Sequence, residues 1–217
     1  MRKAFSQAEL AFTEIHMPLE RALRHFESGK SDCIYTMADA IANRAHLKSD
    51  QLLSSYPFNS ANLHLFTLQT KPKISNLQQV AANNHLIVGL NGYLGYYSDE
   101  IIREEVYGRL VLVTDEERAL NMLRQNRVDV LIGFMPDYTR HLNELHYDKS
   151  FSLGETLDGL TCRTSDLGIA TINALSLVFK DMHKDGLLEK ILGDEFIDFT
   201  YTPKHPYDWL SQDLSSQ

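Results

Sequence analysis

Hydrophobic positions along the chain alternate between two spacings, and the alternation predicts helices and strands in turn. Residues 2–10 read as a helix. AFTEIHMP (11–18) alternates apolar and polar like a strand and stops at Pro18. From Leu19 the period lengthens: Leu19, Leu23 and Phe26 share one helical face, and Gly29 ends it. SDCIYTM (31–37) is a short buried strand, and LHLFTLQT (63–70) another. KPKISNLQQVAANN (71–84) reads as a turn and a short helix, and HLIVGL (85–90) as a strand. A sharp turn at Asn91-Gly92-Tyr93 leads into a predicted helix over 94–107. A strand at 109–114, a helix at 116–127 and a buried strand at 128–134 follow. After a polar stretch, LDGLTCRT (157–164) is strand-like. The helix from Leu167 carries a stripe of Ile172, Leu175, Val178, Phe179 and Met182, and LLEKILGDEF continues it. The end, from about Thr200, contains prolines and looks irregular. Helices alternating with strands predict an α/β fold with largely parallel sheets.

One eighteen-residue stretch occurs nearly twice. ERALRHFESGKSDCIYTM (20–37) and ERALNMLRQNRVDVLIGF (117–134) align without a gap and share five residues, including Asp32 and Asp129. Both read as a helix, a turn and a buried strand. Two similar α/β lobes, each using one copy, account for this better than the general tendency of crossovers to look alike.

Charge and composition narrow the function. The chain is 217 residues long, 43% hydrophobic and 23% charged, as for a globular protein. A formal charge of −8 argues against a nucleic-acid partner, which requires a basic face. No apolar run reaches the length of a membrane span, and MRKAFSQAEL lacks the apolar stretch of a signal peptide. Cys33 and Cys162 are too few for a disulfide scaffold and lack metal-site spacing. Both lie in apolar runs, so buried thiols are favoured over a single disulfide. His141 and His146 stand five apart, not at the spacing that puts two metal ligands on one helix face. No G-x-S-x-G, P-loop or Cys-His signature appears, so no enzyme activity, metal or cofactor is expected.

The order of motifs resembles the type II periplasmic solute-binding proteins, in particular the family 3 receptors of amino-acid ABC transporters. SGKSDCIYTM leads to Arg44 and then SSYPFN, where that family has an arginine and an aromatic-proline stretch. LHLFTLQ matches its crossover strand, ISNLQQV the next helix, and LIVGLNGY the opening of its second lobe. ALNMLRQNRVDVL follows with Asn126 in a glycine's place, and INALSLVFKDMHKDGLLEKI matches the closing helices. The match runs from about residue 14 to 196, and the family's first strand is absent, which implies a shortened version of a longer exported precursor.

The resemblance implies a two-lobed fold, each lobe a mainly parallel sheet flanked by helices. Lobe 1 would comprise residues 1–68 and 156–217 and lobe 2 residues 69–155, with hinges near Thr67 and Asp158. It also implies a small organic solute held in the cleft between the lobes, delivery to an ABC permease, and a periplasmic location. A ligand-sensing domain of a membrane signalling protein, or an interaction domain of this fold that binds nothing, are the alternatives. Relative to the amino-acid receptors, Asn62 stands in the place of the carboxylate-binding arginine. Phe134 stands in the place of the acid that takes the ligand's ammonium, with Asp137 three residues on. A neutral amide and an aromatic ring do not neutralise a zwitterion, so these replacements speak against a standard amino acid unless Asp137 or Arg44 serves; the expected ligand is amino-acid-like or an organic acid.

Ligands of such folds sit beyond the carboxyl ends of strands. This selects Tyr35, Thr36 and Met37 after the first repeat copy, and Phe134 after the second. Asn62, and Asn91, Gly92 and Tyr93 in the turn, complete the candidate set. Arg44 is a further candidate, with a structural ion pair the favoured reading. Asp32 and Asp129 read as turn-shaping residues.

Overall fold

The computed structural model describes residues 1–38, 41, 47–96, 108–205 and 207–209. Backbone contacts divide the chain into two compact units. The first comprises Met1–Met17, Arg21–Ser60 and Leu157–Gln217, and the second Pro18–Glu20 and Ala61–Thr156.

In the first unit, helices α1 (Arg2–Gln7) and α2 (Leu19–Glu27, whose first residues belong to the second unit) precede β1 (Cys33–Tyr35) and β2 (Leu52–Ser54). Among the described residues these form a sheet in the order β1-β9-β2, with β9 (Leu160–Arg163) antiparallel to both neighbours. Helix α5 (Asp166–Lys184) begins where Ser165 accepts a hydrogen bond from the Gly168 N–H, and α6 (Leu187–Leu192) follows it. The α5 stripe buries Ile172, Leu175, Phe179 and Met182 against Phe5, Phe58, Leu160 and Trp209, while Val178 is only partly buried. The proline-containing end is irregular yet bound: the Ser54 N–H donates to the Tyr207 carbonyl at 2.7 Å, and the Tyr201 hydroxyl to that of Trp209 at 2.8 Å.

The second unit is built on the order β5-β4-β6-β3-β7. Its strands are β3 (Asn59–Leu68), β4 (Ile87–Leu90), β5 (Leu110–Val113), β6 (Val130–Met135) and β7 (Leu145–Tyr147), with β8 (Gly154–Asp158) pairing β3. Every residue of β6 is buried, as a continuous apolar run predicts for a central strand. Helices α3 (Leu77–Ala82) and α4 (Glu116–Arg124) are capped by Asn76 and Asp115. Leu63, Leu65, Val80, Ile87, Val130 and Ile132 form this unit's core.

Among the described strands β4 pairs in parallel with β5 and β6, whereas β3 runs antiparallel to β6 and β7. The first crossover between units falls at Ser60/Ala61, ahead of the position near 68 that the sequence suggested. The reason is register: β3 is already paired with β6 at Asn62↔Met135.

Two expectations are corrected. Residues 11–18 form no strand. Their apolar and charged groups turn to α1 instead: Phe12 stacks on Phe5 with centroids 4.2 Å apart, and Glu14 pairs with Arg2 at 3.0 Å. Cys33 and Cys162 are not thiols but a disulfide, because the β1–β9 register sets them directly opposite with Cα atoms 4.0 Å apart. The predicted helix over 94–107 lies largely outside the described residues. Asn91–Tyr96 form a 3₁₀ turn.

The repeated sequence makes the same local object twice. Gly29 and Asn126, at equivalent places, both take the left-handed conformation, with φ of 71° and 52°. The next residue donates back to the helix in each copy, Lys30 to the His25 carbonyl and Arg127 to that of Met122, both at 2.9 Å. Leu23 and Phe26 are buried in one copy, Leu120 and Leu123 in the other. Asn126 therefore replaces a glycine without changing the turn, since asparagine tolerates this conformation better than most side chains.

Candidate functional site

In the second unit the sheet brings five predicted residues to one end. Parallel β4 and β6 finish there, and antiparallel β3 begins there. The carboxyl ends of β4 and β6 thus meet Asn62 of β3, beside the turn Asn91-Gly92-Tyr93. Gly92 is required for packing, because a Cβ at that position would lie 2.9 Å from the Leu19 side chain at the start of α2. Tyr93 then reaches across to β6, its ring edge-on to Phe134 with centroids 5.2 Å apart.

Past β6, the cis Met135–Pro136 peptide leads to Asp137, which accepts a 2.7 Å hydrogen bond from the Tyr93 hydroxyl. Burial raises the Tyr93 pKa well above the usual phenol value, and the Asp137 charge adds to the rise, so Tyr93 remains a donor at neutral pH. Phe134 is only 5% exposed and belongs to the core. The Tyr93 ring packs edge-on against it. A partly buried carboxylate, oriented by a phenol and bordered by aromatic rings, suits an ammonium or guanidinium group. Asp137 is thus the charged member of this cluster, and its position after Phe134-Met135-Pro136 is the sequence signal for it.

In the first unit the end of β1 is fixed by hydroxyl groups that the sequence did not single out. The Thr161 hydroxyl donates to the Thr36 carbonyl at 2.6 Å and lies 2.9 Å from the Ser54 hydroxyl, which accepts from the Ala38 N–H at 2.9 Å. Thr36 and Met37 are buried, whereas Tyr35 is 55% exposed, with its ring against Phe58 at 5.2 Å. Of these three, Tyr35 presents its side chain at the surface. Arg44 lies outside the described residues. Among the described residues no group of three or more His, Cys, Asp or Glu could hold a metal, and no helix is long and apolar enough to cross a membrane.

No protein-family model and no curated protein matches the sequence. Solved structures do match by shape. An amino acid ABC transporter substrate-binding protein from Streptococcus pneumoniae bound to L-arginine superposes with a TM-score of 0.68 at 15% identity, over 89% of this chain and 80% of that one. A histidine kinase sensor domain with similarity to periplasmic binding proteins gives 0.67 at 16% identity, over 89% and 81%. The GluR0 ligand-binding core in complex with L-glutamate gives 0.69 at 9% identity, over 90% and 86%. The chain has the type II periplasmic-binding-protein fold, an α/β fold with sheets flanked by helices.

Proposed function

We propose that the chain is a binding domain for a small amino-acid-like solute whose amino group is held by Asp137. The observation that carries this reading is the Tyr93–Asp137 hydrogen bond at the carboxyl ends of β4 and β6, in a fold whose solved examples bind amino acids. Asn62, paired with Met135 at the end of β6, and the amides of Asn91 and Gly92 in the turn suit the polar remainder of the ligand. The chain acts by binding and not by catalysis, although one structure of similar shape is an ancestral amino-acid-binding precursor of cyclohexadienyl dehydratase.

In this reading the domain is the receptor of an ABC-type importer, works in the periplasm and hands its ligand to a permease. The Cys33–Cys162 disulfide supports an oxidising compartment. The likeness to a histidine kinase sensor domain supports a second reading, ligand sensing in a membrane signalling protein. Uptake assays separate the two: cells lacking the protein lose transport of its ligand only if it is an importer receptor.

Calorimetric titration with L-arginine, L-glutamine and L-glutamate, followed by other amines and organic acids, tests the site. Removing a charged hydrogen-bond partner costs roughly 1.5–3 kcal/mol, so Asp137→Asn should weaken binding of an amino ligand about 10- to 100-fold with an unchanged melting temperature. Equal affinity of the two proteins would overturn the assignment of Asp137.

A further inference from the structure

Strand β5 departs from the rest of its sheet. Its sequence, Leu110-Val111-Leu112-Val113, is as apolar as β4 and β6, whose residues are all buried, yet no residue of β5 is buried. Val111 is 36% exposed. The strand stands first in the order β5-β4-β6-β3-β7, and no strand among the described residues lies on its other side. Strand edges in proteins are normally protected by charge, proline or a bulge, and β5 carries neither a charge nor a proline. The Ile87 N–H of β4 donates to the Arg109 carbonyl at 3.0 Å, and the parallel register runs on to Leu90 against Val113. Backbone groups alternate sides along a strand. Arg109, Val111 and Val113 therefore turn theirs to β4, and Leu110, Leu112 and Thr114 turn theirs outward.

We propose that β5 pairs with β5 of a second copy of this chain, antiparallel and centred on Leu112. A twofold interface requires a segment complementary to itself, so that each contact occurs twice. In this register Leu112 faces its own mate, Val111 faces Val113, Leu110 faces Thr114, and Arg109 faces Asp115. Centring on Val111 or Val113 instead would set Arg109 or Asp115 against a valine. The backbone stays extended as far as Asp115, with φ −150° and ψ 157°. Asp115 caps α4, accepting from the Arg118 N–H and from the Thr114 hydroxyl, both at 2.9 Å, and its side chain is 48% exposed. Those two bonds hold its carboxyl group below the usual carboxylate range, so it is ionised at neutral pH. The Arg118 Nε lies 3.7 Å from it. The Arg109 guanidinium donates from Nη1 to the Asn84 Oδ1 and has further N–H groups for a carboxylate.

Pairing of this kind joins two sheets edge to edge. It gives the outward N–H and C=O groups of Leu110, Leu112 and Thr114 partners, and it sets the exposed Val111 beside Val113 of the other copy. So short an edge buries less than the roughly 1,200 Å² of a stable interface, so the dimer forms reversibly and its fraction follows concentration. The net charge of −8 opposes association, which leaves the local match of Arg109 with Asp115 to set register. The pairing uses the second unit alone and does not depend on a ligand.

Sedimentation velocity of the whole chain from about 10 µM to about 1 mM, a range suited to a weak interface, should show the average mass rise from that of one chain toward that of two. Exchange of the Leu112 amide should slow over the same range. Leu112→Pro removes an outward N–H at a place where an edge strand tolerates proline, and it should remain monomeric throughout. Arg109→Glu sets like charges opposite each other at both ends and should weaken association about tenfold. Adding Asp115→Asn, which keeps the α4 cap, removes that repulsion and should restore most of the loss, a recovery that damage to the fold would not show. A protein that is monomeric at every concentration, as when its own chain or a foreign peptide occupies the edge, would overturn the pairing. So would a dimer that Arg109→Glu does not weaken.

Discussion

Breaking the Cys33–Cys162 bond should destabilise the first unit strongly. The linked residues are 129 positions apart, so the bond closes a long loop in the unfolded chain. Chain-entropy reasoning gives a loss of about 5 kcal/mol for a loop of that length, and about 2–4 kcal/mol is the typical yield. At roughly 2–4 °C per kcal/mol for a chain of this size, the melting temperature should fall by about 5–15 °C. The local consequence is specific, because the bond joins β1 to β9 two residues before Tyr35 and beside the hydroxyl network of Ser54 and Thr161. The assay is a thermal melt of the oxidised protein, the reduced protein and the Cys33→Ala/Cys162→Ala variant, with thiol labelling to count free cysteines. Two reactive thiols in the denatured protein without reductant, or the same melting temperature before and after reduction, would refute the reasoning.

Two further substitutions probe the frame of the candidate site. Asn126→Val places a β-branched residue at φ 52° and should cost about 1–2 kcal/mol, whereas Asn126→Gly should be neutral or slightly stabilising, both read from urea midpoints. Gly133→Val would drive a side chain into the fully buried Tyr138 ring behind β6, and overpacking of this kind costs about 1–3 kcal/mol. A thermal melt should show that loss, and in the double variant Gly133→Val/Tyr138→Ala the combined loss should be smaller than the sum of the two single losses.

Local order was legible in the sequence, and long-range pairing was not. The two copies of the repeat were readable because apolar spacing, Gly29 and the equivalent Asn126 each determine structure within a few residues. The strand ends of the second unit were readable for a similar reason, since a strand followed by Asn91-Gly92-Tyr93, and another running through Phe134, mark where β4 and β6 stop. Asp137 stood in view as a residue three places further on, but only the fold shows that Tyr93 reaches it. Residues 11–18 alternate like a strand, yet alternation describes faces and does not supply a partner, and their side chains turn to Phe5 and Arg2. The disulfide depends on the register of β1 against β9, set by chain far from either cysteine. The place where β3 passes between units depends on its pairing with β6, which apolar content alone does not reveal. The bonds of the Asn59 side chain to Glu195 and Ile197 join segments far apart in the chain and leave no motif.

The central claim is that this chain binds a small amino-acid-like solute, and a thermal melt against a panel of amino acids, amines, organic acids and sugars tests it most directly. A ligand at a hundred times its dissociation constant stabilises by about 2.7 kcal/mol. The account predicts a rise of about 5–10 °C for at least one compound carrying an amino group, with that rise diminished in Asp137→Asn. A cooperative melt that no member of the panel moves would contradict it, and would leave a domain of this fold that binds no such solute.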